Sequence, residues 1–405
     1  MVILGKTCDK TLSISIKSNC LTLSISSTAD TQVFSFDHEG RLWTAMFNSV
    51  SYRRGLDGKI VAKWIIPTAH NHQRRWLSRI EGEVIEQNAH KTASWLLQTL
   101  KSGQIQFSDN LPQAVFDTLN HVIEFTPKRY KQDINRYYEV YKPIGILPPD
   151  QYMAVFLQAT EGCSFNTCTF CDFYKDRNFR IKSPDEFFRH VEAVLSYLGK
   201  GISLRRTIFL GDANALITPM PLLREHLKIV HRFFDVSALG GIYAFLDGFS
   251  GTLKSLPEYQ ELAQFQIKRI YIGLESGNAD LLKLLKKPSD PEKAIGTVQA
   301  IKTAGIAVGV IILLGAGGHK YSAAHIEDTI KVINEMKLNA DDIIYFSELV
   351  ESEGLAYTKQ AYQEELKPMT SEERVRQGEE IESRLIFPND STPHIARYDI
   401  REFVY

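Results

Sequence analysis

From Met153 onward the sequence repeats one pattern six times, namely a short apolar strand, a loop and an amphipathic helix. Strands such as "AVGVIILLG" are apolar throughout, whereas helices such as "PEKAIGTVQAIKTA" carry apolar residues at helical spacing. Continuous apolar strands that alternate with amphipathic helices predict a parallel sheet covered by helices. Six units are fewer than a closed eight-fold barrel needs, so the predicted fold class is α/β, a partial (β/α)6 TIM-like barrel.

The first part of the chain follows a different pattern. "QVFSFDHEGRLWTAMF" and "SVSYRRGLDGKIVAKWI" each hold two alternating runs around a Glu-Gly or Asp-Gly turn, which predicts β-hairpins. Helical spacing follows in "EGEVIEQNAHKTASWLLQTLK". We therefore predict an N-terminal β-rich α+β domain with a helical linker over 1–148, a candidate for substrate or partner contacts. The barrel is predicted over 149–390 and a tail over 391–405, whose last strand either pairs onto a sheet or covers the substrate opening.

Composition excludes several classes of protein. The 405 residues carry a formal net charge of −1, which gives no electrostatic argument for binding nucleic acid or an anionic membrane. No apolar run reaches the roughly 18 residues that a membrane helix needs, and the start of the sequence lacks the pattern of a signal peptide. Five cysteines are too few, and odd in number, for a disulfide scaffold. We expect a cytoplasmic protein, of an oligomeric state that the sequence does not indicate.

Polar and glycine-rich residues follow the predicted strands on one face of the barrel. Asp212 comes directly after the second strand, Glu275 and Ser276 end the fourth, and Gly315 begins the run "GAGG" after the fifth. Chemistry in βα folds collects on the loops at the carboxyl ends of the strands. The sequence therefore predicts an active site on this face.

The loop after the first strand holds three cysteines, Cys163, Cys168 and Cys171, in the spacing C-x4-C-x2-C. A structural zinc site takes four ligands, usually as two close pairs, and Cys8 and Cys20 in the β-rich region do not form a second pair. A [4Fe–4S] cluster normally takes four thiolates. Three thiolates would leave one iron without a protein ligand, and an open position is typical of a catalytic metal site.

In this context "GCSFNTCTFCDFY" resembles the cluster loop of radical S-adenosylmethionine (SAM) enzymes, with Phe170 as the aromatic residue before the third cysteine. The loop has one more residue between Cys163 and Cys168 than the commonest pattern of that superfamily. "IYIGLESG" followed by "LLKLLKKP" further resembles the branch that includes oxygen-independent coproporphyrinogen oxidases and methylthiotransferases. The resemblance covers roughly Met153 to Leu349 and agrees with a six-unit partial barrel.

This resemblance implies two cofactors and a reaction class. The three cysteines would be the metal ligands and catalytic residues of a [4Fe–4S] cluster, and SAM would chelate the remaining iron. Reductive cleavage of SAM would yield a 5′-deoxyadenosyl radical that acts on a small-molecule or peptide-like substrate, as in an oxidoreductase or transferase. An external electron donor such as flavodoxin or ferredoxin is implied as a partner. Cofactor contacts are implied for Phe170, Gly211, Asp212, Ala213, Glu275, Ser276 and Gly315.

Each of these residues also has a structural interpretation. Asp212 would cap the next helix, Glu275 and Ser276 would form a helix start, and the glycines at Gly315 would make a tight turn. Tyr174 would pack either near the adenine or in local core, and we expect the histidines of "HKYSAAH" on the surface.

The absence of certain sequence signatures argues against several reaction types of this superfamily. No cysteine follows Cys171, which argues against auxiliary clusters, and two further cysteines are too few for a methylthiotransferase. The cobalamin signature Asp-x-His-x-x-Gly is also absent. Two alternatives remain, namely a cluster- or haem-binding carrier that has the fold but no radical catalysis, and a zinc-stabilised scaffold.

Overall fold

The computed structural model of the protein describes residues 1–7, 9–28, 30–66, 71–249, 253–288, 290–351, 354–388 and 391–405. The chain divides into two compact units. The N-terminal unit comprises Met1–Val155, Glu192–Arg206 and Arg401–Tyr405, and the barrel unit comprises Phe156–Val191 and Thr207–Ile400.

The N-terminal unit contains a nine-stranded antiparallel sheet. Its strands are β1 (Val2–Lys6), β2 (Thr11–Ile16), β3 (Leu21–Ser26), β4 (Thr31–Phe36), β5 (Leu42–Phe47), β6 (Val50–Arg54), β7 (Ile60–Ile66), β8 (Asn71–Trp76) and β9 (Gln106–Phe107). Strands β1 to β8 pair in chain order, and β9 pairs with the other side of β1. The predicted hairpins are confirmed, because β4 pairs with β5 and β6 with β7.

One side of this sheet is buried under helices. Alternate strand residues such as Leu21 and Leu23 are fully buried, and they join a core with helices α1 (Arg79–Lys101) and α2 (Gln113–Glu124). Each such side chain contributes about 1.5–3 kcal/mol by burial. Cys20 is buried, and Cys8 lies outside the described residues.

Helix α3 (Pro127–Val140) is one that the sequence analysis does not predict. It begins at Thr126, whose side chain accepts from the Arg129 N–H, with a proline as its first residue. Its Asp133 is fully buried and receives the Arg41 guanidinium at 2.9 Å. The helix therefore contributes the acidic half of a buried ion pair to the N-terminal unit.

The barrel unit contains a seven-stranded sheet. Its strands are β10 (Ala154–Gln158), β13 (Thr207–Gly211), β14 (Ile242–Phe245), β15 (Ile267–Glu275), β16 (Ala307–Leu314), β17 (Ile343–Glu348) and β18 (His394–Tyr398), and they lie in chain order. All pairs from β13 to β18 are parallel. This sheet, together with its helices, confirms the predicted α/β class and partial barrel beside a β-rich N-terminal region.

Two short antiparallel strands, β11 (Thr160–Glu161) and β12 (Arg180–Ile181), enclose residues 162–179, the cluster loop. The remaining helices are α4 (Pro184–Leu198), α5 (Met220–Phe233), α6 (Leu256–Gln264), α7 (Ala279–Leu284), α8 (Pro291–Thr303), α9 (Gly318–Met336), α10 (Ala356–Gln363) and α11 (Ser371–Ser383). The last strand, β18, pairs onto the sheet, which was one of the two alternatives for the tail. No helix in the described ranges is long and apolar enough to cross a membrane.

Candidate functional site

A cluster of aromatic rings from neighbouring strands packs together in the barrel unit. Phe209 stacks on Phe156 and contacts Phe245 and Tyr271, with ring centroids 5.1 to 6.1 Å apart. Gly309 on β16 makes room for the ring of Tyr271, because a Cβ there would lie 2.3 Å from it. Polar groups, in contrast, collect on the loops that follow the carboxyl ends of the strands.

The first half of the cluster loop is held by the turn after β13. The Gly162 N–H donates to Asp212 Oδ2 at 2.8 Å, and Asn214 Nδ2 donates to Ser164 Oγ at 2.8 Å. Asn214 Oδ1 also accepts from the Asp247 N–H after β14. Three strand ends are thereby linked around the residue that precedes Cys163.

The second half of the loop is held from the opposite side. Thr167 Oγ1 donates to the Lys286 carbonyl at 3.2 Å, and the Thr169 N–H donates to the Leu285 carbonyl at 3.0 Å, just after α7. The Thr169 carbonyl accepts from the Tyr357 N–H of α10 at 2.9 Å. The loop is thus fixed by hydrogen bonds on both sides of the thiols.

The three thiols are partly buried and lie close enough to influence one another. Burial, together with the neighbouring Cys168 and Cys163, raises the pKa of Cys171 to about 12. Burial also raises the pKa of Cys168, while Lys287 opposes the shift. Because a metal binds the thiolate, cluster assembly must release these protons.

Backbone N–H groups already point at the sulfur atoms. The Asn166 N–H donates to Cys163 Sγ at 3.4 Å, and the Phe173 N–H bonds to Cys171. Hydrogen bonds to sulfur tune iron–sulfur clusters, and three thiols in one fixed loop fit such a group. Within the described residues, no set of three Cys, His, Asp or Glu side chains forms a single-ion site.

Asp212 is fully buried and serves as an anchor for the loop rather than as a helix cap. Besides the Gly162 N–H, its carboxylate accepts from Gln158 Nε2 at 2.9 Å, and its own N–H donates to Thr160 Oγ1. Arg177 Nη1 lies 3.6 Å away. Burial raises the pKa of Asp212 to about 6, although these hydrogen bonds oppose the shift.

Glu275, at the end of β15, forms an ion pair with Lys287, and the Nζ–Oε1 distance is 3.2 Å. Burial alone would lower the pKa of Lys287, but Glu275 and Cys168 outweigh it and raise the pKa above its usual value. The ammonium group also lies 5.7 Å from the centre of the Phe249 ring. A cation therefore lies beside the thiols; Lys287 belongs to the run "LLKLLKKP", but the sequence assigned it no role in the site.

Ser276 takes part in a buried network behind the same strand end. Its Oγ lies 2.7 Å from His325 Nδ1 and accepts from the Asn278 N–H. The expected surface position of His325 is wrong, because this residue is fully buried and burial lowers its pKa to about 4. Asn278, and not Ser276, caps α7 by accepting from the Leu281 N–H. The sequence contained a signal of this burial, because His325 lies next to the apolar stripe of α9.

The other predicted contact residues occupy varied environments. Phe170 packs against an apolar cluster that includes Leu313 and Tyr357, and Tyr174 is buried. Gly211 lies against the Phe156 ring, and Ala213 is partly exposed. The Gly315 N–H donates to Gln377 Oε1 at 2.8 Å. The structure brings the cysteines, Asp212, Glu275 and Ser276 to neighbouring strand ends, whereas contacts to SAM for all of these residues stay predictions.

Comparison with known proteins agrees with this site. Residues 157–333, which contain the cluster loop and strands β13 to β16, match the model of the radical SAM superfamily. The match, which covers less than half of the chain, assigns a radical SAM domain to this part of it, and this superfamily implies SAM and an iron–sulfur cluster. No curated protein matches the sequence.

Solved structures show distant similarity. Coproporphyrinogen III oxidase (HemN) from Escherichia coli shares 14% identity and a TM-score of 0.44 over 64% of this chain and 56% of its own. SuiB from Streptococcus suis, bound to SAM, shares 12% identity and a TM-score of 0.41 over 87% and 72%. Methylornithine synthase (PylB) shares 14% identity and a TM-score of 0.40 over 56% and 61%. The chain thus spans little more than half the length of HemN, and these similarities are too distant to identify a substrate.

Proposed function

We propose that this protein is a radical SAM enzyme in which Cys163, Cys168 and Cys171 hold a [4Fe–4S] cluster and SAM completes its coordination. When bound, the reduced cluster would supply the one electron that cleaves SAM into methionine and a 5′-deoxyadenosyl radical, and this radical would take a hydrogen atom from a substrate. The substrate is proposed to be a small molecule or a peptide-like molecule. The electron is proposed to come from an external donor such as flavodoxin or ferredoxin.

The observation that carries this proposal is the fixed three-thiol loop within the superfamily domain. Its ends are tied to Asp212 on one side and to the residues after α7 on the other. A loop held in this way loses little conformational entropy when it binds a cluster. Three ligands also leave a coordination position for a small molecule, which a closed structural site would not.

Lys287 would balance charge beside the cluster. Three thiolates place negative charge in a largely buried site, and an ammonium group near Cys168 favours their ionised form. Its partner Glu275 keeps the lysine at the strand end. Their side chains are thus proposed to orient SAM and to stabilise the thiolates, and neither needs to exchange a proton.

The test is an anaerobic assay on protein reconstituted with iron and sulfide. The protein is reduced in the presence of SAM, and 5′-deoxyadenosine is measured by mass spectrometry. We expect the parent to form it and Cys168→Ala to lose both the cluster and the product. Cys20→Ala is the matched control, because this thiol is buried in the N-terminal unit and is not part of the cluster loop.

Three other outcomes would each contradict the proposal in a different way. A cluster that forms but never cleaves SAM, with several reductants and candidate substrates, would favour the carrier alternative. Zinc bound in place of a cluster would favour the scaffold. Equal product from Cys168→Ala and from the parent would exclude the loop as the source of the activity.

A further inference from the structure

Tyr357 on α10 contacts two segments of the site, the cluster loop with its cysteines and the glycine-rich turn after β16. Its backbone N–H donates to the Thr169 carbonyl at 2.9 Å, and its hydroxyl accepts from the Gly317 N–H at 2.9 Å. Thr169 lies between Cys168 and Cys171 in the cluster loop, whereas Gly317 belongs to 315–318, the glycine turn after β16. One buried residue thus connects the loop with the thiols to the end of the fifth barrel strand.

The surroundings make this connection rigid. Tyr357 is 1% exposed and packs in an apolar cluster with Leu285, Ala316 and the ring of Phe170. Side chains in such close-packed surroundings have few alternative positions. Gly317 has a φ of +73°, and a Cβ there would lie 2.7 Å from the Tyr321 side chain. Only glycine therefore fits this position of the turn without strain.

The two hydrogen bonds differ in chemistry, and this makes them separable. The bond to Thr169 uses the backbone and survives replacement of the side chain. The bond to Gly317 uses the hydroxyl alone, and its loss leaves a buried N–H without an acceptor, which is unfavourable. Phenylalanine would keep the ring and its packing while it removes only the second bond.

We propose that Tyr357 is a positioning residue that couples the cluster loop to the glycine turn and thereby sets the affinity for SAM. The statement about SAM rests on the proposed function, whereas the coupling of the two segments does not. Tyr357 lies outside residues 157–333, the part that matches the superfamily. The coupling is therefore a feature of this chain's own C-terminal elements.

The test compares the full-length reconstituted protein with Tyr357→Phe. Tyr362→Phe is the matched control, since Tyr362 is on the same helix and is 86% exposed. Three quantities are measured, namely iron content, the dissociation constant for SAM and amide hydrogen exchange in peptides that cover 166–172 and 314–319. The electron paramagnetic resonance (EPR) spectrum of the reduced cluster is recorded with and without SAM.

We expect the control to match the parent in every measurement. Tyr357→Phe should bind the same amount of iron, yet its dissociation constant for SAM should rise roughly 3- to 10-fold, as loss of one buried hydrogen bond implies. Exchange should become faster in both peptides, and the change in the EPR spectrum on SAM addition should be smaller than in the parent.

Faster exchange only in 314–319, with an unchanged dissociation constant, would overturn the proposal, because Tyr357 would then merely satisfy the turn. Slow exchange in both peptides would overturn it as well. If the parent itself binds neither cluster nor SAM, the proposed function fails, and the exchange comparison still decides whether the two segments are coupled.

Discussion

Replacement of Asp212 tests whether its carboxylate anchors the cluster loop or contacts SAM. The carboxylate accepts one hydrogen bond from the Gly162 N–H at 2.8 Å and one from Gln158 Nε2 at 2.9 Å. Asp212→Asn keeps one carbonyl oxygen in this place and can satisfy one of the two donors. Asp212→Ala satisfies neither of them. A buried donor without a partner costs about 1–3 kcal/mol, so the alanine variant should be less stable than the asparagine variant by about that amount.

The difference in stability between the two variants isolates the lost hydrogen bond better than a comparison of either variant with the parent. Burial raises the pKa of Asp212 from 3.8 to about 6. At neutral pH the ionised carboxylate therefore disfavours the folded state by about 3 kcal/mol relative to an unshifted group. Both substitutions remove this penalty, which partly offsets the lost hydrogen bonds. The penalty cancels in the difference between Asp212→Asn and Asp212→Ala.

Urea denaturation of the cluster-free protein measures the free energies of unfolding, and equilibrium dialysis of the reconstituted protein measures SAM affinity. An anchor predicts that Asp212→Asn binds SAM within about threefold of the parent. The reasoning is refuted if the two variants unfold with equal free energies. A large loss of SAM affinity in Asp212→Asn at unchanged stability would instead show the direct contact that the sequence predicted.

Three further predictions concern stability and are measured by urea denaturation. Because the pKa of Asp212 is higher in the folded state, the folded protein binds this proton more tightly than the unfolded chain does. The cluster-free protein should therefore lose about 3 kcal/mol of its free energy of unfolding as pH rises from about 4 to about 6. Asp212→Asn should lack this pH-dependent loss, and equal slopes of stability against pH in parent and variant would contradict the prediction. Asp133→Asn leaves the buried Arg41 guanidinium without its bidentate partner, and we expect the N-terminal unit to lose about 3–5 kcal/mol of its free energy of unfolding. A loss below 1 kcal/mol would contradict this prediction. Gly309→Ala forces a Cβ against a buried tyrosine ring and should cost about 1–3 kcal/mol of stability. Gly296→Ala changes a helical position with open space around it and should not destabilise the protein. Equal effects of the two substitutions would refute the packing argument.

Much of the barrel could be predicted because local sequence and fold agree there. The run "AVGVIILLG" became β16 with only its last glycine outside the strand, and "PDEFFRHVEAVLSYL" became α4 with the same ends. The strand is a continuous apolar run, the helix has a clear helical period, and both are bounded by glycine or proline. Helix α3 was missed because its sequence is polar and rich in tyrosine, although the residues that it buries, Tyr130, Asp133 and Tyr137, recur at helical spacing. Its start at Thr126-Pro127 carried a second local signal.

The site was predictable in position but not in its contacts. Strand ends meet at one edge of a parallel sheet whatever the loops contain, so Asp212 and Glu275 could be assigned to one face. Their partners could not, because Lys287 reaches Glu275 from beyond α7, and the neighbours of the cluster loop are set by tertiary packing. His325 shows the same limit, since one helical step separates an exposed histidine from a buried one.

The elements after residue 333 show why the superfamily pattern locates the thiols without specifying what holds them. The pattern needs three cysteines after a strand, and any packing that fixes this loop satisfies it. In this chain Tyr357 of α10 bonds to Thr169 and Gly317, while Gln377 of α11 bonds to Gly315. These hydrogen bonds occupy backbone groups of the glycine turn that would otherwise face a ligand or water. The N–H groups of Gly315 and Gly317 are therefore occupied within the fold, and the C-terminal helices help to fix both the glycine turn and the thiol loop.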